Sequence, residues 1–248
     1  MKKNRLHFSL LAIMAVVSLS IVACGSGNPE AKKPDTSSKD NSDQPNTDTR
    51  PALSLSLSGE INPTDFVSGQ SGSVSFNRFP ASVEEFRDVR NQIAKTPHGA
   101  AALNIMALEM YRRNPQIGQQ CLEIMGTKDY IHPQGSLMNK LKGGHKKPYQ
   151  YAAYLDGARY DNGYNPTKPY TIRVKVDEGR QYTKSNNGIP YLNLYIINNG
   201  GDKPARVKLT KYDRNNMDKN NQYFLTDESD VFYNVRDIKF DQEFKGLD

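Results

Sequence analysis

The residue with the clearest chemistry in this sequence is Cys24, whose thiol stands directly after Ile21-Val22-Ala23. This cysteine follows an apolar stretch over residues 6–22, and a lysine- and arginine-containing start precedes that stretch. A cationic start, a short apolar segment and a small residue before the cleavage point are typical of a secretory signal. The sequence therefore predicts export from the cytoplasm, with Cys24 placed where processing occurs.

The segment Ile21-Val22-Ala23-Cys24 resembles the lipobox of bacterial lipoproteins. The resemblance implies that residues 1–23 are a lipoprotein signal peptide and that Cys24 receives a diacylglycerol. Membrane lipid is then the partner of acylated Cys24, which anchors the protein in the cell membrane or the outer membrane. A cleaved secreted form and a retained helix are the alternatives. The apolar stretch of about 17 residues is at the lower limit for crossing a ~30 Å hydrocarbon core.

Cys121 is the only other cysteine of the chain. Ile117, Cys121 and Ile124 are spaced at i, i+4 and i+7, so they share one face of a predicted helix. This spacing favours a small buried hydrophobic residue. A reactive thiol and an intermolecular disulfide are the alternatives.

No other residue pattern in the sequence indicates catalysis or metal binding. His98, His132 and His145 are not spaced as zinc ligands are. The sequence contains no G-x-S-x-G, P-loop or Rossmann glycine pattern. We therefore predict no catalytic residue, no metal and no cofactor. Whether the protein is an enzyme stays open, and the sequence leans towards a protein that is not one.

The net charge argues against nucleic acid as a partner. The whole chain has 33 basic and 27 acidic residues and a formal charge of +6. Removal of residues 1–23 takes away three cationic residues and no acid, which leaves about +3. Nucleic-acid binding needs a concentrated basic surface. The expected partners are membrane lipid and, at the cell envelope, a protein or a glycan.

Composition divides the exported chain into a tether and a domain. Residues 24–51 hold Cys24 and then Asn, Asp, Ser, Thr, Lys and Pro with almost no apolar residue, which predicts a disordered tether. Residues 52–248 are predicted to form a single domain. Helical periodicity precedes strand-like alternation, which predicts an α+β fold: about three to five helices on one face of an antiparallel sheet of about four to six strands.

Caps and apolar faces predict the helices. A capping box at Ser82 and Glu85 begins the first helix, which Pro97 ends. A second, largely apolar helix is expected over residues 100–113, and Asn114-Pro115 begins a third. Shorter helices are expected over residues 136–142 and 148–155.

Alternating apolar residues predict the strands. A turn at Asn199-Gly200-Gly201-Asp202 separates two of them. The expected strands cover residues 53–57, 74–76, 170–176, 192–196 and 207–209, followed by a hairpin of residues 223–226 and 231–235.

Six tyrosines concentrate near several basic residues, and tyrosines in such company can form a recognition surface. Ordinary packing is the alternative explanation for most of them. Arg159, Tyr160 and Tyr164 are the candidate binding residues, because they lie in a predicted loop and are expected to be exposed. The tyrosines are Tyr149, Tyr151, Tyr154, Tyr160, Tyr164 and Tyr170.

Two groups of segments in the sequence carry a family pattern. The first comprises residues 79–86 (FPASVEEF), 97–103 (PHGAAAL) and 109–114 (EMYRRN). The second comprises residues 147–149 (KPY) and 161–171 (DNGYNPTKPYT). Both resemble an uncharacterised bacterial domain-of-unknown-function family, number 6935, often found on predicted lipoproteins. The resemblance covers about residues 74–240 and implies neither an activity nor functional residues.

Three classes of function are compatible with these features. The first is a non-catalytic binding or envelope-structural domain on a membrane-anchored lipoprotein, and the sequence favours it. The second is a hydrolase that acts on envelope or nutrient polymers. The third is a small-ligand protein, because helices over a curved antiparallel sheet can enclose a pocket.

Overall fold

The computed structural model describes residues 49–62, 67–142, 147–179, 182–184, 190–211, 221–227, 231–232 and 235–248, and for residues 182–184 and 227 it describes the backbone alone. The predicted signal peptide, Cys24 and the tether up to residue 48 lie outside these ranges. Residues 50–248 form one compact unit, to which the following description applies. Within the described ranges, no helix combines the length and the apolar character that a membrane span requires.

Seven strands of the described chain form one sheet whose pairings are all antiparallel. Six of them follow the order β1-β2-β3-β5-β6-β7, and the short β4 pairs with β5 beyond the end of β3. The strands are β1 (Leu55–Glu60), β2 (Ser71–Phe76), β3 (Tyr170–Val176), β4 (Tyr182–Lys184), β5 (Pro190–Ile196), β6 (Ala205–Thr210) and β7 (Phe224–Asp227).

The four α-helices of the described chain are α1 (Val83–Ile93), α2 (Pro97–Arg113), α3 (Pro115–Met125) and α4 (Ser136–Lys142). The hydroxyl of Ser82 accepts a hydrogen bond from the Glu85 N–H and caps α1, as predicted. The side chain of Asn114 caps α3 in the same way. These caps satisfy N–H groups that have no partner inside the helix.

The second helix begins three residues earlier than the sequence predicted. Thr96 is its N-cap, and its hydroxyl accepts from the Gly99 N–H. Pro97 occupies the first helical turn, where a missing N–H costs nothing. Proline was therefore correctly associated with a helix boundary, but it belongs to the following helix.

The core lies between one face of the sheet and α2. This helix contacts β2, β3, β5, β6 and β7, with α1 and α3 packed against it as well. In β3, Ile172 and Val174 point into the core, whereas Arg173 and Lys175 are exposed on the opposite face. The sheet has an apolar face covered by α2 and an exposed polar face. Helices together with an antiparallel sheet confirm the predicted α+β class.

Two further predicted elements differ from the structure. Residues 148–155 contain only a short 3-10 turn at Ala152–Tyr154 in place of a helix. The expected second strand of the last hairpin begins with a turn at Val231 and Phe232; residues 233–234 lie outside the described ranges. The backbone oxygen of Val231 accepts from the hydroxyl of Tyr154 at 3.0 Å, so this oxygen is used by a side chain.

Cys121 is fully buried in α3, which confirms the packing interpretation of its sequence pattern. Its Sγ lies 3.7 Å from the sulfur of Met110. Burial raises the pKa of the Cys121 thiol to about 12. A neutral thiol in this position behaves as a small hydrophobic side chain.

Leu108→Ala should reveal how strongly the domain depends on α2. Leu108 is fully buried, so the substitution leaves a cavity and should lower the free energy of unfolding by about 2 to 5 kcal/mol. Urea denaturation measures the change. The matched control is Leu57→Ala on β1, where the leucine is 40% exposed and the loss should stay under about 1 kcal/mol. Equal losses would contradict the placement of the core.

Candidate functional site

The loop of residues 157–166, here called the tyrosine loop, has a fixed shape. The side chain of Asn162 accepts from the Arg159 N–H at 2.9 Å and donates to the backbone oxygen of Gly157 at 2.7 Å. Gly157 and Gly163 adopt positive φ angles of 78° and 69°, which glycine tolerates at little cost. The asparagine side chain and the two glycines therefore define the turns of this loop.

The prediction that Tyr164 is exposed was wrong. Tyr164 is fully buried, and its ring stacks on Tyr149 with the centroids 4.8 Å apart. Its hydroxyl donates to the backbone oxygen of Arg236 at 2.9 Å. Burial raises the pKa of the Tyr164 phenol to about 12. The tyrosine anchors the loop in a small second core with Ala153 and Val235 and does not present a surface.

Tyr160 and Arg159 lie at the surface, as the sequence predicted. The Tyr160 side chain is 38% exposed, and the guanidinium of Arg236 lies 5.7 Å from its ring centroid. Arg159 forms an exposed ion pair with Asp161 at 2.9 Å. The backbone oxygen of Tyr160 accepts from the Lys239 N–H at 3.0 Å, which fixes the chain after residue 235 beside this tyrosine.

Phe240 is the aromatic residue that the sequence reasoning missed. Its side chain is 96% exposed, in a turn closed by the bond from the Gln242 N–H to the Lys239 oxygen. The available signal was a phenylalanine between Lys239 and Asp241 in a largely polar stretch. We call the surface formed by Arg159, Tyr160, Arg236, Lys239 and Phe240 the Tyr160 patch.

A surface cavity of about 360 Å³ adjoins the Tyr160 patch. Arg236 lines it together with Gly201, Asp202, Lys203 and Val235, and the Asp202 carboxylate accepts from the Arg236 guanidinium. The lining therefore contains one ion pair, between Arg236 and Asp202, and the further cation Lys203. Its lining includes neither a nucleophilic cysteine or serine nor a histidine that could act as a general base.

A second cavity, of about 220 Å³, lies where residues 50–51, 78–81 and 248 meet. Arg50, Arg78 and Arg113 line it together with apolar side chains that include Phe79 and Ile117. Arg78 binds both oxygens of the Glu85 carboxylate, at 2.6 and 2.8 Å. This hydrogen-bonded guanidinium is the main cause of the lowered pKa of Glu85.

No metal site emerges from the described part of the chain, where three or more potential ligands are nowhere grouped. His98 is buried against Gly72, and a Cβ at that glycine would lie 2.5 Å from the imidazole ring. Burial lowers the pKa of His98, so a neutral ring is favoured. Its close fit against the backbone of β2 indicates a packing role.

The fold and these surfaces define an α+β domain in which the described residues form four α-helices and an antiparallel sheet, with exposed aromatic residues in the Tyr160 patch. The chain matches the family model described as Domain of unknown function (DUF6935) over residues 78–239, well over half of its 248 residues. It belongs to that family, which confirms the resemblance seen in the sequence. No curated protein and no solved structure matches the chain.

Tyr164→Phe tests the buried phenol through pH. The substitution removes the hydrogen bond to Arg236 and should cost about 1 kcal/mol at neutral pH. The folded-state pKa is raised above the unfolded value of about 10. The stability that Tyr164 contributes is therefore complete below about pH 10 and is lost as the pH rises through about 12.

Wild type should accordingly lose more stability than Tyr164→Phe when urea denaturation is repeated at increasing pH above about 10. Tyr160→Phe is the matched control, because its ring is partly exposed, and it should follow the wild-type curve. Parallel curves for wild type and Tyr164→Phe would contradict a buried, hydrogen-bonded phenol.

Proposed function

We propose that the protein is a lipid-anchored lipoprotein of the bacterial cell envelope, and that its α+β domain is a non-catalytic binding module. The domain contacts a protein partner through the Tyr160 patch. The observation that carries this proposal is the 96% exposure of Phe240, which follows Lys239, the residue whose N–H binds the backbone oxygen of Tyr160. Burial of a phenylalanine side chain is worth about 1.5 to 3 kcal/mol, which a partner would supply.

The composition of the Tyr160 patch resembles a protein interface. Tyrosine and arginine are enriched among residues that dominate binding energy, and charged groups usually surround an apolar centre. Here the guanidinium of Arg236 lies over the Tyr160 ring, and the Phe240 side chain is almost fully exposed. Such an arrangement fits a partner with an apolar depression and a polar rim.

The charges of the patch favour a protein over an anionic polymer or membrane surface. Each of its three cations has an acidic neighbour: Arg159 with Asp161, Arg236 with Asp202, and Lys239 with Asp241. The patch is therefore close to neutral and does not concentrate positive charge. Nucleic acid and anionic lipid are both recognised by an excess of positive charge.

The proposed lipid anchor at Cys24 holds the protein at the membrane, and the substitution Cys24→Ser tests this anchor. Cells grown with an alkyne-bearing fatty acid should label the wild-type protein, and labelling should disappear in Cys24→Ser because the acceptor thiol is gone. Cys121→Ser is the matched control and should remain labelled. Undiminished labelling of Cys24→Ser, or an unmodified Cys24 in the intact mass of the native protein, would contradict the anchor.

Site-specific crosslinking tests the patch. Phe240 replaced by the photoreactive p-benzoylphenylalanine should give one discrete protein adduct in living cells, since this position is the proposed centre of the contact. The same residue at Leu57, which is also exposed but lies on β1, should give none. Tyr160→Ser should reduce the adduct at position 240 at least fivefold, as expected for a hot-spot residue. Equal adducts at both positions would contradict the proposal.

A further inference from the structure

Residues 235–248, here called the tail, cross the tyrosine loop without helix or strand and contain one turn at residues 239–242. The Asn165 side chain makes two hydrogen bonds to the tail backbone. Its Nδ2 donates to the oxygen of Glu243 at 2.8 Å, and its Oδ1 accepts from the Lys245 N–H at 2.9 Å. The Asn165 side chain thus binds one acceptor and one donor of the tail backbone. These two hydrogen bonds do not depend on the side chains of the tail.

Gly163 allows this close approach of two backbones. The backbone oxygen of Glu243 lies where a Cβ of residue 163 would be, so any other residue would clash with the tail. Gly163 also has a φ of 69°, in the left-handed region. Gly163 and Asn165, two positions apart in the loop, therefore form a surface that accommodates the main chain of the tail.

Phe244 and Leu247, which are three residues apart, make the apolar side-chain contacts at the end of the tail. Phe244 is half-buried, with its ring edge-on to Tyr149 at a centroid distance of 6.2 Å. Leu247 is half-buried and packs against both apolar clusters of the domain. Lys245 and Gly246, between them, are exposed. The domain surface beneath the tail thus contacts one aromatic and one aliphatic side chain, those of Phe244 and Leu247.

The end of the groove binds the last residue through polar groups. The Tyr170 hydroxyl accepts from the Asp248 N–H at 3.1 Å, and an Arg113 nitrogen donates to the Leu247 oxygen at 3.1 Å. Lys168 forms an ion pair with the Asp248 carboxylate. An acidic residue directly after the aliphatic one completes the pattern.

We propose that this groove, formed by Tyr149, Gly163, Asn165, Lys168, Tyr170 and Arg113, is a binding site for an extended peptide segment of a partner protein. The recognised pattern is an aromatic residue, one variable residue, a glycine with a positive φ of 93°, an aliphatic residue and an acidic residue. The tail is the resident occupant, and the partner segment replaces it. Main-chain hydrogen bonds with pockets for spaced side chains are an established mode of peptide recognition.

The tail is suited to replacement because little of it is buried. From residue 236 onwards, only Ile238, Phe244 and Leu247 are half-buried, and every other residue is exposed. Segments with few buried apolar contacts open without unfolding of the domain. The groove contacts tail residues 243–248, whereas Arg236, Lys239 and Phe240 of the tail form part of the Tyr160 patch, so the groove goes beyond the function proposed above.

Peptide binding to full-length variants tests the groove. The ligand is a fluorescein-labelled peptide of residues 241–248 with an amidated end, so that its last residue carries charge on the side chain alone. The double variant Phe244→Ser, Leu247→Ser loosens the tail and should bind this peptide. Wild type should bind it at least tenfold more weakly, because the intact tail competes. Adding Asn165→Ala to the double variant should weaken binding at least tenfold.

The control peptide carries serine at both the Phe244 and Leu247 positions and should not bind. Equal affinity of the native-sequence peptide for wild type and double variant, or no affinity for a folded double variant, would overturn the proposal. A concentration-dependent wild-type dimer that the double variant loses would overturn it as well, since it would assign the groove to the tail of a second copy.

Hydrogen exchange on wild type keeps the proposal testable if the double variant fails to fold. The Lys245 amide should exchange at least a hundredfold faster than the amides in the middle of α2, as expected for local opening of the tail. Equal exchange rates would show that the tail opens only with the whole domain. The groove would then be unavailable to another peptide, and the proposal would fail.

Discussion

The packing of α2 against the sheet is the constraint on which the rest of the structure depends. Every residue from Pro97 to Met110 in this helix is buried, so the sheet and the neighbouring helices must all be shaped around it. Its four alanines, Ala100, Ala101, Ala102 and Ala107, take little space and allow neighbouring elements to approach closely. Gly118 of α3 lies directly against the Tyr111 backbone, where a side chain would clash. Small residues thus set the helix spacing, and dense packing makes that spacing rigid.

The C-terminal end of α2 links this core to the tail. Glu109 is fully buried, and its carboxylate accepts hydrogen bonds from Arg112 and Arg113 at distances between 2.7 and 2.8 Å. A buried carboxylate is tolerated only when it is paired in this way. The pairing fixes Arg113 over the ring of Phe79, from where it also donates to the backbone of Leu247. The end of the peptide groove is therefore positioned by a charge pair of the core.

The local elements were predictable, because their determinants lie within a few residues of one another. Ser82 and Asn114 cap their helices through bonds to the next turn, and β3 alternates between core and solvent at every second residue. The surroundings of Tyr164 were not predictable, because its partner Arg236 is 72 positions away. A turn-forming sequence indicates a loop at the surface, yet here residues from the far end of the chain cover it. The exposure of Phe240 depends on the same distant packing.

The tyrosines between residues 149 and 170 have two roles, because some pack inside the domain and Tyr160 lies at its surface. Tyr149, Tyr164 and Tyr170 place their rings in apolar clusters, and the Tyr164 and Tyr170 hydroxyls bind the tail backbone. Tyrosine suits this position because its ring packs while its hydroxyl still finds a partner. Tyr160, in the same loop, faces outwards and carries Arg236. The segment of residues 161–171 therefore binds the main chain of the tail. The Tyr160 patch includes residues of the tail, so it forms only while the tail is bound. Recognition at the patch and occupancy of the groove are coupled through this one segment.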